Sequence, residues 1–463
     1  MTAAVSHIEE GLGIGRIRAS LVLVAGFLAV ITALVVAGRT NAWIPALLAG
    51  PAVIFVLLSF RWPMLPLFAF VMLVPTEEAV VIEGFGTLSR YMEILFIVAY
   101  GLPRLGRLTL SAVPLAAWGY LAWAALSLSW AVDPAATLLD LPVLALLFTM
   151  AALVASVVTE RPSIVRPLLT AYTISAAVTA VIGLVEFVQG TLVAEDRVAA
   201  IQGQDPAHYA ALLLPALVFS AYELVHGRQI FLFAPIAFLC TAGIIVSGTR
   251  GAWVAAIVVA AFYVFPRLDL LRRVVAIAVI SGLLALTVQL PGVGALIADR
   301  TSTAISSGGA GRTDIWTVGL VIYESAPVTG VGFADFSAAY TPERIRETDV
   351  EIIAPWRPAF RDPHNLIIGT LGELGTVGLI VLAAFLLPHL LRRGWGPDAA
   401  VVQAAFAAMI VMAMFLDLLN RKEIWLLIGI SWGLAWLARR PVETGLGLEP
   451  ASVPVSLSPA TGT

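Results

Sequence analysis

Three short segments hold most of the chemistry available to this sequence. Ser247-Gly248-Thr249-Arg250-Gly251-Ala252-Trp253 is a tight glycine turn with an arginine at its tip. Gly311-Arg312-Thr313-Asp314-Ile315-Trp316 comes next, trailed by Pro327-Val328-Thr329-Gly330-Val331-Gly332. Asp362-Pro363-His364-Asn365 is the third, directly ahead of an apolar run with glycines at 369, 372, 375 and 378. Guanidinium is planar and permanently charged, and it pairs bidentately with phosphate oxygens even when partly buried. Arg250 and Arg312 are therefore candidates for holding a phosphate-bearing group, although Arg312 could instead form a loop salt bridge with Asp314. A neutral imidazole can receive or steer a hydroxyl proton. His364 is the best placed of the five histidines for that task. Its structural alternative is an N-terminal helix cap without chemistry.

The elements that must position these groups are membrane helices. Of 463 residues, 60% are apolar and only 12% are charged, about half the usual share for a soluble domain. A mean hydropathy of +0.95 agrees. The expected fold is all-α, a polytopic transmembrane bundle of roughly 12–14 spans, each about 20 residues long. The apolar run 63–75 is short and carries prolines at 63, 66 and 75, so it either crosses or re-enters. The net charge of -3 excludes a polybasic nucleic-acid binder, and the single cysteine, Cys240, excludes a disulfide framework or a thiolate metal site. All but one of the basic residues are arginine, the exception being Lys422.

Arginine fixes the expected orientation. Short connections carrying Arg61, Arg104, Arg107, Arg161, Arg166, Arg228, Arg267, Arg272, Arg273, Arg392, Arg393, Arg439 and Arg440 fall on one side. By the positive-inside rule both termini are cytoplasmic. Residues 1–18 read as a polar cytoplasmic tail with no cleavable signal, 19–440 as the membrane domain, and 441–463 as a disordered cytoplasmic tail. The 74-residue connection 291–364 then lies outside, and its tryptophans and prolines make it a structured loop subdomain. Arg90, Glu93, Glu186, Arg250, Glu373 and Asp417 all fall in the outer half of the spans. Ionisable residues there mark function by default, with interfacial snorkelling as the alternative. Together they suggest a polar cavity roofed by 291–364. The glycine series 369–378 reads as helix packing, and Ser306–Gly311 as a flexible hinge.

In this order the three segments resemble the O-antigen ligase and polymerase family of bacterial membrane glycosyltransferases. Weaker echoes are Ser129-Trp130-Ala131-Val132-Asp133-Pro134 and Gly203-Gln204-Asp205-Pro206-Ala207-His208, so the resemblance spans roughly 85–440. It departs at Ala207-His208, where many members have asparagine after the proline.

The resemblance implies transfer of a glycan from a polyprenyl-pyrophosphate carrier to an acceptor hydroxyl outside a bacterial inner membrane. The partners implied are that lipid-linked donor, a glycan or glycolipid acceptor and membrane lipid, with no nucleic acid and no cofactor. The expected catalytic residues are His364, Arg250 and Arg312. The expected substrate contacts are Arg90, Arg361, Asn365, Trp316 and His208. No metal is expected. A transporter or flippase of polyprenyl-linked glycans is the alternative, but it would want charges along the whole crossing path, and no internal repeat supports it. A third reading makes Glu77, Glu78 and Glu83 carboxylate ligands of a divalent cation. Ligase and polymerase share these motifs.

Overall fold

A computed structural model describes residues 43–79, 81–82, 86–190, 198–200, 205–306, 312–350, 362–391 and 396–439. The first apolar span, the hinge at 307–311, Arg361 and the 441–463 tail lie outside them.

The fold is all-α and polytopic, as expected. Among the described residues, six helices are long and apolar enough to cross a membrane: Pro134–Glu160, Pro162–Gln189, Pro206–Val225, Arg250–Arg267, Leu270–Val288 and Leu366–Leu391. Shorter apolar helices, among them Leu115–Ser127, Ile230–Val246 and Pro397–Met412, fill the spaces between. The run at 63–75 forms a helix only over Met64–Leu73, almost wholly buried, and continues as a 3₁₀ turn through Ala79. Ten α-helical residues rise roughly 15 Å, half a hydrocarbon core, so the α-helical part alone is too short to span one. A hairpin of two two-residue strands, Val81–Ile82 and Gly86–Thr87, follows.

Unlike a soluble protein's, the outer surface is apolar as well as the core. Leu270, Leu271 and Val274 on the fifth long helix are exposed, as a lipid-facing helix requires. The centre is aromatic: Phe148 meets Trp425 and Trp432 edge-on, and Phe385 lies beside both tryptophans. Gly429 and Gly433 let Lys422–Leu437 close on Pro134–Glu160. A Cβ at Gly429 would stand 2.6 Å from the Ala151 carbonyl oxygen, and one at Gly433 2.6 Å from Val158 Cβ.

Polar clusters gather at opposite ends of the bundle. Near the end of Pro206–Val225, Glu223 pairs with Arg166 at 3.1 Å, and Arg166 also reaches Asp398 at 2.7 Å. His208, at the start of that helix, lies ~22 Å away along the axis. The described part of the expected loop 291–364 holds the helices Val293–Ser306, Arg312–Ser325, Phe336–Ala339 and Pro342–Arg346. Val293 belongs to the main core, whereas Ile315, Val318, Ile322, Phe336 and Tyr340 form a small core of their own, seated on Ile368.

Candidate active site

The helix Leu366–Leu391 is interrupted at Gly375, whose backbone stands at φ 67, ψ -168. A broken helix frees backbone groups that lipid cannot satisfy, and the Pro327–Gly332 strip takes them up. Val331 and Gly332 donate to the carbonyls of Gly372 and Glu373 at 3.0 and 2.9 Å, and Thr376 donates to Pro327 at 2.9 Å. The Trp123 indole donates to the Leu374 carbonyl at 3.0 Å. The approach leaves no room for a side chain. A Cβ on Gly330 would stand 2.3 Å from the Glu373 backbone, and one on Gly375 2.3 Å from the Val328 oxygen. The glycine series is thus more than helix packing, because Gly375 makes the break on which the loop subdomain docks.

The Ser129–Pro134 motif clamps the same strip. Val132 donates to the Val331 carbonyl at 2.9 Å. Asp335, fully buried, accepts from the Asp133 amide at 2.9 Å and the Thr137 hydroxyl at 3.2 Å. Burial pushes the Asp335 carboxyl above the usual aspartate range, and these hydrogen bonds act against that shift.

Two motifs meet on the connection 413–421, and two more are tied to those. Asn365 caps the helix behind it, its oxygen accepting from Ile367 and Ile368 at 2.9 and 3.0 Å. Its amide donates to the Met414 carbonyl at 3.2 Å, and Leu366 donates to Ala413 at 2.8 Å. Gly251 lies flush against Phe415, where an added Cβ would meet the ring at 2.9 Å. Thr249 donates to the Pro206 carbonyl at 3.1 Å. Trp316 donates to Pro363 at 3.1 Å, tying the Arg312 helix to the histidine segment. Arg250 and Arg312 each open a helix, Arg250–Val259 and Arg312–Ser325. A cation gains nothing from the macrodipole at that end, whereas an anion there meets both guanidinium and free amides. Sequence reading missed Arg300, whose Nε lies 3.1 Å from where a Gly248 Cβ would stand.

His364 occupies the left-handed backbone region at φ 46, and its amide donates to Asp362 at 3.0 Å. Its Nδ1 is buried without a hydrogen-bond partner. Asn365 performs the capping, so the capping alternative for His364 does not hold.

Two adjoining cavities open beside this hub. One, of about 220 Å³, is lined by the carboxyl groups of Asp140, Asp362, Glu373 and Asp417, with Asn365 and Thr370 among its neutral polar groups. The other, of about 210 Å³, is lined by Glu77, Thr87, Arg90, Glu93, Arg421 and Lys422. Val143, Leu147 and Asn420 border both. Four of the six ionisable residues singled out in the spans therefore converge, while Glu186 and Arg250 line neither cavity. His208 is buried against Glu423 at 3.3 Å and lines neither. Trp316 and His364 also lie outside both linings, and Arg361 is outside the described residues. Glu77 is bound to the Lys422 ammonium at 2.5 Å, so a cation already occupies that carboxylate. Glu83 and the Glu78 side chain are not among the described groups. Sequence reading marked Lys422 only as the lone lysine and passed over Arg421 and Asp140. The first chamber suits the hydroxyl groups of a polyol, and the second offers cations to an anion.

This is a polytopic helical membrane protein with a charged double chamber at one end of its bundle. Residues 235–383 match the model of the O-antigen ligase family, which supports membership of the chain in that family of glycosyl-transferring enzymes. The match takes in the Arg250 turn, the Gly-Val-Gly strip and the His364 segment, but none of the Lys422 chamber. No curated protein matches the sequence.

Proposed function

We propose that this protein transfers or polymerises a glycan, taking it from a polyprenyl-pyrophosphate carrier and passing it to an acceptor hydroxyl at the extracytoplasmic face of the bacterial inner membrane. The convergence of the Arg250 turn and the His364 segment on 413–421, beside both chambers, carries this reading. The arginine bias of the opposite connections supports the sidedness.

In this reading the acceptor oxygen attacks the anomeric carbon, and the bond from that carbon to the phosphate oxygen breaks. The lipid pyrophosphate leaves with the electron pair. Arg250 and Arg312 neutralise the charge that develops on it, an electrostatic task that guanidinium groups can perform in place of a divalent cation. His364 receives or steers the acceptor proton. Arg90, Arg361, Asn365 and Trp316 are the proposed substrate contacts, whereas His208, expected among them, is buried against Glu423 and would only hold that carboxylate in place. A second proton acceptor has support from the cavity lining: Glu373 and Asp417 face the chamber directly, whereas His364 flanks it.

The flippase alternative needs a charged path through the bundle. Among the described residues the charged clusters sit at the two ends of the bundle, and Trp425, Trp432, Phe148 and Phe385 fill the centre between them. Purified protein in proteoliposomes with lipid-linked glycan and acceptor separates the two. Glycosylated acceptor supports the enzyme. Movement of intact donor lipid across the bilayer without acceptor glycosylation overturns it.

A further inference from the structure

Glu93 lies on the helix Leu88–Phe96, is 0% exposed, and lines the Lys422 chamber. Neither of its carboxylate oxygens has a hydrogen-bond partner. Buried carboxylates are almost always bonded, because desolvation without compensation is costly. The nearby ammonium does not fill the gap. Lys422 has three donors, directed to Glu77 at 2.5 Å, Thr87 at 3.0 Å and Ser89 at 2.8 Å. Glu77 is satisfied in turn, accepting from Ser89 at 2.8 Å as well. The cluster is complete without Glu93.

The chamber's charges limit what could complete it. A metal ion at Glu93 would face Arg90, Arg421 and Lys422, and a ligand that is anionic throughout would face the carboxylate. A ligand satisfying both has an anionic end for the guanidinium groups and an adjacent neutral O–H or N–H for Glu93. A sugar attached to phosphate has that layout, its hydroxyl or amide lying one carbon from the phosphorylated centre.

We propose that the Lys422 chamber seats the first sugar of the donor beside its phosphates, and that Glu93 selects this sugar by accepting a hydrogen bond from an O–H or N–H next to the anomeric carbon. This rests on the donor being a pyrophosphate-linked glycan. A site built around such a bond strongly rejects an analogue that lacks the donor group.

The test measures binding rather than turnover. Wild type, Glu93→Gln and Glu93→Leu, each in nanodiscs, are titrated with undecaprenyl pyrophosphate, bare or carrying one N-acetylhexosamine. Wild type should prefer the sugar-bearing lipid by about tenfold or more, the size of a hydrogen bond to a charged group. Glu93→Leu should bring that ratio near one while binding bare lipid at least as tightly as wild type, and Glu93→Gln should fall between. Thermal stability should not drop, since a buried unpaired charge has been removed. An equal ratio in all three proteins overturns the inference, as does parallel loss of both lipids with a lowered Tm. A wild type that shows the Glu93-dependent preference but never glycosylates an acceptor removes the proposed function and leaves this site standing.

Discussion

The side-chain amide of Asn365 donates to the main-chain carbonyl of Met414 at 3.2 Å while its oxygen caps the helix that follows. One residue thereby fixes both the helix start and its distance from 413–421. Asn365→Asp keeps the cap and loses the donor, whereas Asn365→Ala loses both. The alanine variant should cost about 1 kcal/mol or more in stability, read as a lowered Tm. The aspartate variant should hold its Tm better yet still transfer less glycan. Wild-type transfer in both would separate this contact from the reaction.

Arg250 and Arg312 should both be needed for transfer. Arg250→Lys should still impair the reaction, because lysine keeps the charge but loses the bidentate fork. The measurement is glycan transfer by purified protein at matched expression. If Arg250→Ala and Arg312→Ala both match wild type, the pyrophosphate assignment is wrong.

His364→Ala should lower transfer by ~10²–10⁴-fold, the usual effect of losing a general base, while donor lipid still binds. Glu373→Gln and Asp417→Asn are the companion variants. If either abolishes transfer while His364→Ala retains it, the proton acceptor is the carboxylate in the chamber. Activity should survive a chelator. Loss in chelator that magnesium or manganese restores would argue for a metal-assisted reaction.

Gly375→Ala should destabilise the protein by about 2–4 kcal/mol, combining left-handed strain with forced overpacking. The added methyl would stand 2.3 Å from the Val328 oxygen. Loosened docking should appear as protease sensitivity within the 312–350 subdomain. Resistance equal to wild type would mean that the break tolerates a side chain.

Reporter fusions at Ser307 and Arg393 should show opposite sidedness, as the arginine distribution requires. The same side for both would displace the proposed face of reaction.

The helices were legible in the sequence. A backbone crossing lipid must bond to itself, so apolar composition and run length alone marked a polytopic helical bundle, and helices such as Pro134–Glu160 and Pro162–Gln189 bear it out. The ordered motifs likewise pointed to the residues at the hub, since glycine turns and an Asp-Pro-His-Asn start are local features. Local sequence could not show which member of the His364–Asn365 pair caps the helix, because that depends on backbone placement and on Met414. Nor could it show that Glu77 and Lys422 meet, across 345 positions, or that this pairing leaves Glu93 unbonded. The Gly375 break has the same origin. A glycine in an apolar run is compatible with a continuous helix, and only the docked Pro327–Gly332 strip, by satisfying the freed backbone groups, makes the interruption stable.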